Sequence, residues 1–368
     1  MSFFDYAQTY TAANLEERLT TARPEQIRAL LGKNSLHPLE FLLLLSPAAG
    51  GLLEEMAQRA HALTMKHFGR NILLYTPLYL SNYCVNKCTY CHFHAGQSLP
   101  RRTLTREEVW QEGQTLAAAG FRHLLLLTGE SRRHASLEYL AECINILKPY
   151  FSSLGLEVYP LTEAEYRQMV TAGADSLTIY QEVYDPELYA RYHLAGPKKD
   201  YHFRLDAPER ACRAGMRRVN LGALLGLGPW RMEAFLAGLH AYYLQKKYPE
   251  VEIALSVPRL RPLPGSQPPY PVSDRELVQI ILAFRLFLPQ AGLTLSTRER
   301  AELRDHLVPL GITSMSAGSK TTVGGYAVEA DASAGQFSVA DERPVEEIKR
   351  MLLSKGYQPV FKDWPRFC

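Results

Sequence analysis

Three cysteines lie within eight residues of one another, in the segment NYCVNKCTYCH that begins at Asn82. Cys84, Cys88 and Cys91 have the spacing C-x3-C-x2-C, and thiolates are the ligands that iron–sulfur clusters use. Because a 4Fe–4S cube has four irons, three thiolates on one tight loop leave one iron open to a small chelating ligand. The spacing therefore predicts a cluster site with these three cysteines as its metal ligands.

Two other interpretations of the cysteines stay open on spacing alone. A structural zinc ion normally has four protein ligands, and the fourth would have to be His92, His94 or a distant cysteine. The chain would then be a non-catalytic, zinc-stabilised scaffold. The cysteines could also be buried structural residues. Tyr90, directly before the last cysteine, and the position after the first strand-like run favour the cluster.

The elements that must position this loop form a regular alternation. Short apolar runs alternate with amphipathic segments, and capping boxes predict several of the helix starts. The eight runs begin at Ile72, Arg122, Leu156, Ser176, Arg218, Glu252, Leu293 and Ile312, and the boxes pair Thr105 with Glu108, Thr162 with Glu165, Ser273 with Glu276 and Ser296 with Glu299. This order predicts an α/β fold, a (β/α)8 TIM-type barrel whose chemistry gathers at the C-terminal strand ends. A doubly wound open sheet is the alternative.

The same patterns divide the chain into three parts. Residues 1–70 predict an N-terminal helical extension, and residues 71–325 predict the barrel. Residues 326–368 predict an irregular segment and a helix that pack on the barrel. The proline-dense run 258–271 predicts a long loop after the sixth strand.

Composition excludes several classes of function. The chain is 46% hydrophobic and 21% charged, as ordinary globular proteins are. Its charge of +3 and short basic pairs such as Lys198–Lys199, which we interpret as solvated surface, do not favour a nucleic-acid partner. We find neither a secretory signal nor an apolar stretch long enough for a membrane. Reduced thiols and a cytoplasmic location are expected.

The cysteine loop resembles that of the radical S-adenosylmethionine superfamily, which has C-x3-C-x-aromatic-C after its first strand. The resemblance implies two cofactors, a 4Fe–4S cluster and S-adenosylmethionine, whose methionine amino and carboxylate groups chelate the open iron. It also implies that one electron cleaves the C5′–S bond and gives a 5′-deoxyadenosyl radical. A low-potential electron donor such as flavodoxin or ferredoxin is the implied partner.

Residues at two predicted strand ends carry the resemblance further. Thr128-Gly129-Glu130, after the second strand, is similar to the superfamily's G-G-E motif, which holds the methionine ammonium. Thr128 replaces the first glycine of that motif. Gln181 and Glu182, after the fourth strand, are at positions whose polar residues reach the ribose or the methionine.

The remaining implied cofactor contacts come from three other segments. Arg204 is the candidate for the methionine carboxylate, since a guanidinium suits bidentate carboxylate binding. Gly222 and Gly226 resemble the G-x-I-x-G segment beside the adenine, where glycine permits close backbone approach. Tyr90 of the cysteine loop completes the implied cofactor-binding set.

A combination of late segments resembles one family within the superfamily, the 2-iminoacetate synthases, which are the tyrosine lyases of thiamine synthesis. These segments are YQEVY, FRLDAPERA, PRLRP, LSTRE, SAGSK with GGYA, and GYQPVFKDW. The resemblance implies removal of a hydrogen from the amino group of L-tyrosine, then cleavage of Cα–Cβ to 2-iminoacetate and p-cresol. Thiazole synthase is the implied recipient of the iminoacetate. Arg298 is implied to bind the tyrosine carboxylate.

Two relatives of this family compete. The tyrosine lyase of hydrogenase maturation continues into a domain with a second cluster, which starts with a further C-x2-C. Here the corresponding tail reads FKDW from Phe361 and has a single cysteine, Cys368. The tryptophan lyase of indolic-acid synthesis would need an indole-sized pocket, which a sequence does not measure.

Overall fold

The structure is a computed structural model that describes residues 1–11, 14–261, 267–331 and 334–362. Part of the predicted loop 258–271 and the terminal residues 363–368, with Cys368, lie outside the described residues. Among the described residues, no helix is long and apolar enough to cross a bilayer.

Among the described residues, six helices precede the first strand, in the region where the sequence predicts a helical extension. They are α1 Phe3–Thr11, α2 Leu15–Thr21, α3 Pro24–Leu31, α4 Pro38–Leu44, α5 Pro47–Gly50 and α6 Leu53–Phe68. Helices α1, α4, α5 and α6 pack against the outer helices α13 Trp230–Lys247 and α14 Asp274–Phe287, and α2 and α3 pack on the other helices of the extension. The extension therefore covers the outside of the domain.

Eight parallel strands close into a barrel, because β1 pairs with both β2 and β8. They are β1 Asn71–Ser81, β2 His123–Thr128, β3 Ser153–Glu157, β4 Ser176–Glu182, β5 Arg218–Ala223, β6 Glu252–Ser256, β7 Gly292–Leu295 and β8 Ser314–Ser316. The other helices are α7 Arg106–Ala118, α8 Leu137–Leu147, α9 Glu163–Ala172, α10 Pro186–Tyr192, α11 Tyr201–Leu205, α12 Ala207–Arg213, α15 Ala301–Leu307 and α16 Val345–Ser354, with 3-10 turns at Pro197–Lys199 and Val308–Leu310. The predicted barrel is confirmed.

Three local features differ from the sequence-based expectations. Strand β3 begins at Ser153 and not at Leu156, so it ends at Glu157. A ninth strand, β9 Gln358–Val360, pairs in parallel with the start of β1 and was not predicted.

The predicted capping box at Ser296–Glu299 is wrong, because α15 begins at Ala301 after Arg300. The Glu299 carboxylate pairs with the Arg259 guanidinium instead, since a buried opposite charge attracts it more strongly than a helix amide does. The other three boxes are confirmed.

The segment before α16 is fastened to the barrel by a buried ion pair. The Arg304 guanidinium contacts the Asp341 carboxylate, and neither side chain is exposed. Arg304 also donates to the carbonyl oxygen of Ser316 in β8. Arg343 Nη2 lies 2.8 Å from the same Asp341 carboxylate. Residues 335–343 are thereby held across the C-terminal ends of β7 and β8.

We expect Asp341→Asn to lower the free energy of unfolding by about 3–5 kcal/mol, because it leaves the Arg304 charge buried without its partner. Burial raises the pKa of Asp341, but the bonds from Arg343 and the charge of Arg304 outweigh burial and lower it overall. The stabilisation is therefore present at neutral pH and lost as the pH falls through the folded-state pKa. Urea unfolding at several pH values measures it. Glu55→Gln, which breaks the exposed pair with Arg28, should unfold like the parent, and an equal loss in both variants would contradict the prediction.

Candidate functional site

The cysteine loop follows β1 and is held by backbone hydrogen bonds to the segment after α10. Lys87 N donates to Ala195 O at 2.9 Å, and Thr89 N donates to Tyr192 O at 3.0 Å. Val85 N donates to Glu130 O at 3.2 Å, which ties the loop to the end of β2. The loop is thus held between the end of β2 and the segment that follows α10.

The three thiols fit a cluster better than a single metal ion. Cys88 is buried, and burial raises the pKa of Cys88 to about 12 and that of Cys91 to about 11. Their thiolates therefore need nearby positive charge, which bound iron supplies. In the described parts of the chain, no three His, Cys, Asp or Glu side chains converge on a point that could hold one metal ion. A cubane has no such requirement, because it binds each thiolate at a different iron.

Behind the cysteine loop lies a buried ion network of Glu130, Glu182, Lys198 and Arg204, with side-chain exposures between 6% and 14%. Arg204 Nη1 is 2.9 Å from Glu130 Oε1, and Lys198 Nζ is 2.8 Å from Glu182 Oε1. Arg204 Nη2 also lies 3.5 Å from Glu182 Oε1. Glu130, Glu182 and Arg204, which were predicted as site residues from separate segments, thus lie together beside the cysteines.

The expectation that Lys198 is solvated surface is wrong, because its side chain is only 10% exposed. Asn86 of the cysteine loop explains how it is placed. The Asn86 amide donates to Glu130 Oε2 at 2.8 Å and accepts from Lys198 N at 2.9 Å. The sequence analysis predicted neither Lys198 nor Asn86 as a site residue. Two adjacent lysines are typical of a protein surface, and Asn86 has no distinguishing feature beyond its place between two cysteines.

Glu182 has an unusual backbone at the end of β4. Its φ of +70° is rare for a side chain of this size. The pairing of β4 with β5 shifts register between Tyr180 and Glu182. A conformation of this kind costs about 1–3 kcal/mol and is typical of functional sites. Here it places the Glu182 carboxylate between Lys198 and Arg204.

Two predicted glycines are needed because protein backbone fills the space beside them. A Cβ on Gly129 would lie 2.3 Å from Tyr83 O, in the residue before Cys84. A Cβ on Gly222 would lie 2.4 Å from Ser256 O of the next strand. Gly226 has a φ of +113° and turns the chain after β5. Packing at these strand ends accounts for the glycines, and their approach to adenine stays a prediction.

Unsatisfied polar groups mark where a polar ligand would fit. In the part of the chain that the structure describes, neither amide atom of Gln181 has a hydrogen-bond partner, and neither does Thr128 Oγ1. Both side chains are buried. Leaving such groups unpaired costs about 1–3 kcal/mol each. Two predicted cofactor-binding residues thus have the free hydrogen-bonding capacity that a bound cosubstrate requires.

Tyr90 is fixed by a histidine that was not predicted. The Tyr90 hydroxyl lies 2.8 Å from His193 Nε2, and His193 Nδ1 lies 2.7 Å from Tyr189 O. The carbonyl oxygen requires a donor, so Nδ1 carries the proton and Nε2 accepts from Tyr90. Burial, together with the charge of Lys198, lowers the pKa of His193 to about 3. His193 is therefore neutral and positions the Tyr90 ring beside the cysteines.

Arg298 lies apart from this network, beyond the end of β7. Its guanidinium carbon is 3.6 Å from the centre of the Phe337 ring. Within the described ranges, no carboxylate comes within 4 Å of this guanidinium. Its charge acts on Glu157, at the end of β3, where burial raises the pKa to about 7 and Arg298 opposes the rise. Glu157 was not predicted as a site residue. The predicted start of β3, Leu156, is three residues late, so Glu157 seemed to lie within the strand and not at its C-terminal end.

Comparison with known proteins agrees with this geometry. Residues 78–236 match the family model of the Radical SAM superfamily, and residues 256–358 match that of the Biotin and Thiamin Synthesis associated domain. The chain is 42% identical to the 2-iminoacetate synthase of Escherichia coli (strain K12), over 95% of this chain and 93% of that protein.

Two solved structures are similar over most of the chain. The FeFe-hydrogenase maturase HydG from Carboxydothermus hydrogenoformans superposes with a TM-score of 0.85 at 33% identity, over 98% of this chain and 82% of that one. Methylornithine synthase (PylB) has a TM-score of 0.70 at 22% identity, over 91% of this chain and 97% of that one, and supports the fold alone. The predicted cofactors, a 4Fe–4S cluster and S-adenosylmethionine, are confirmed as those of the superfamily. The cysteine loop, the barrel and the 42% identity over nearly the full length of the chain together establish that it belongs to the 2-iminoacetate synthase family of radical S-adenosylmethionine enzymes.

Proposed function

We propose that this chain cleaves the Cα–Cβ bond of L-tyrosine to 2-iminoacetate and p-cresol, for the thiazole of thiamine. The observation that carries the proposal is the Arg298 guanidinium, a half-buried cation beyond the end of β7 with no carboxylate within 4 Å among the described residues. An unpaired cation at the C-terminal face of a barrel suits a carboxylate substrate. Arg298 binds the tyrosine carboxylate in this proposal, and stacking on Phe337 fixes its position.

The cluster and S-adenosylmethionine would be held by residues other than those assigned to the substrate. Cys84, Cys88 and Cys91 would hold the cluster, which together with S-adenosylmethionine supplies the radical that removes a hydrogen from the tyrosine amino group. The buried ion network balances two carboxylates with two cations, so a zwitterionic methionine meets both signs of charge there. Lys198 has three donors, and Glu182 is the one residue that its ammonium hydrogen-bonds among those the structure describes. It therefore has capacity for a carboxylate beside Arg204.

The remaining predicted residues support this arrangement. Glu130 and Glu182 offer acceptors for the methionine ammonium, and the unpaired Gln181 and Thr128 side chains offer further polar contacts. Gly129, Gly222 and Gly226 shape the strand ends, and Tyr90 packs beside the cysteines. The imine product reacts readily with water, so we infer transfer to thiazole synthase, and a flavodoxin or ferredoxin supplies the electron.

Replacing one thiol should abolish the cluster. We expect Cys88→Ala to lose nearly all bound iron and sulfide after anaerobic reconstitution, and with it all 5′-deoxyadenosine formation, because a missing ligand exposes the cluster to loss. Cys212→Ala is the matched control, since that buried cysteine lies on α12, away from the loop. Iron and sulfide analysis with visible absorption measures both variants. Parental iron content in Cys88→Ala would contradict the ligand assignment.

Arg298→Ala should impair tyrosine turnover and spare cleavage of S-adenosylmethionine. Loss of a buried carboxylate partner costs about 2–5 kcal/mol, so we expect kcat/KM for tyrosine to fall by roughly 30- to 4,000-fold. Uncoupled 5′-deoxyadenosine formation should stay near the parental rate. Arg300→Ala is the control, because Arg300 lies two residues along in an exposed pair with Asp274. Anaerobic assay of p-cresol and 5′-deoxyadenosine tests both, and an unchanged tyrosine KM and rate in Arg298→Ala would reject the assignment.

A further inference from the structure

We propose that Glu157 binds the ammonium group of the substrate inside the barrel and accepts one of its protons. The proposal rests on the proposed function, since it takes L-tyrosine as the substrate. It assigns to a single carboxylate both the recognition of the amino group and its conversion to the neutral amine.

The position of Glu157 on β3 places its side chain inside the barrel. Ser153 and Gly155 line a cavity of about 60 Å³ at the N-terminal end of the barrel, together with Tyr75 and Asn220. Side chains on a strand alternate between its two faces, so Glu157 has the same inward orientation as Ser153 and Gly155, one layer higher. Its Cα pairs with that of Leu127, next to the Thr128-Gly129-Glu130 strand end. The carboxylate is therefore at the level of the proposed site.

This carboxylate differs from the other acids around the barrel because it is unpaired. Glu130, Glu182 and Glu299 each contact an arginine or a lysine. Across the described residues, no side chain or backbone group hydrogen-bonds to the Glu157 carboxylate, and no lysine or arginine nitrogen lies within 4 Å of it. Acids in protein interiors are normally paired. Its vacant acceptors match the donors of an ammonium group.

The charges facing Glu157 make it a suitable base. Burial raises its pKa to about 7, the charge of Arg298 lowers it, and that of Glu182 raises it. Arg204 and Lys198 also lower it, and three phenols face it, those of Tyr75, Tyr79 and Tyr180. A base with a pKa near the working pH is the most effective proton acceptor. Binding of a carboxylate at Arg298 would neutralise the cation that acts most strongly on Glu157, and so favour the transfer.

The proton transfer balances without any redox partner. An N–H bond of the tyrosine ammonium breaks, an O–H bond forms on the Glu157 carboxylate, and the nitrogen keeps the electron pair. The product is a neutral amine beside a neutral carboxyl group. With the tyrosine carboxylate on Arg298 and its nitrogen at Glu157, both polar substituents of Cα are fixed, which limits where the remaining N–H bonds can point.

The test compares two ligands that differ only in the amino group. Each ligand, L-tyrosine or 3-(4-hydroxyphenyl)propanoate, is titrated calorimetrically into anaerobically reconstituted holoenzyme. Four proteins are compared: the parent, Glu157→Gln, Glu157→Asp and Glu233→Gln. Glu233 is the control, since it is a buried glutamate whose carboxylate accepts a bond from Tyr184 N at 2.7 Å. We expect Glu157→Gln to weaken tyrosine binding about tenfold or more and to leave the propanoate unchanged. Glu157→Asp should restore part of the discrimination, and Glu233→Gln should bind both ligands as the parent does.

A pH profile of p-cresol formation supplies the second measurement. A base must be deprotonated to act, so we expect the parental rate to fall as the pH drops through about 7, and Glu157→Gln to be slower and to lack that inflection. Equal weakening of both ligands in Glu157→Gln, or unchanged tyrosine binding with the inflection retained, overturns the proposal. Failure of the parent to bind tyrosine, or to form p-cresol, rejects the proposed function itself.

Discussion

The buried ion network of Glu130, Glu182, Lys198 and Arg204 is the interaction on which the rest of the site depends. It joins the ends of β2 and β4 to the segment after α10, and Asn86 extends it into the cysteine loop. Neutralising any one of the four side chains would leave an unbalanced charge in the network, which costs several kcal/mol. The loop that presents the three thiols therefore cannot move independently of the strand ends.

Much of this arrangement could be predicted because it depends on local signals. Alternating apolar runs and capping boxes indicate a barrel, and the polar residues that directly follow a strand, such as Glu130, lie at its functional face. Lys198 could not be found this way. Its burial depends on Gly196, whose φ of +92° turns the chain back, and a Cβ there would lie 2.3 Å from Asn86 Oδ1. Glu157 was missed for a different reason. A three-residue error in the start of β3 makes its last residue look like one in the middle of the strand, and mid-strand residues are not expected at the functional end of a barrel.

The segment after β8 completes the mouth of the barrel, although its sequence is irregular. Gln336 accepts a bond from the Tyr79 hydroxyl at 2.6 Å, and Gly335 O lies 2.7 Å from His92 Nδ1, next to Cys91. Phe337, the next residue, stacks on Arg298. The bonds of Gln336 and Gly335 join residues more than 200 positions apart, so no local pattern could have indicated them. They link the cysteine loop to the cation that we assign to the substrate.

The site thus contains paired and unpaired charges, and the difference between them is the basis of the proposed mechanism. In the ion network the charges are paired, so that network can orient a ligand without itself changing protonation. Arg298 and Glu157 have opposite charges and act on each other, yet they form no ion pair, because β3 holds one and the Phe337 ring holds the other. Keeping them apart costs electrostatic energy in the free enzyme. An amino acid that places its carboxylate on one and its ammonium on the other recovers that energy on binding, and rigid supports of this kind lower the cost of ordering the substrate.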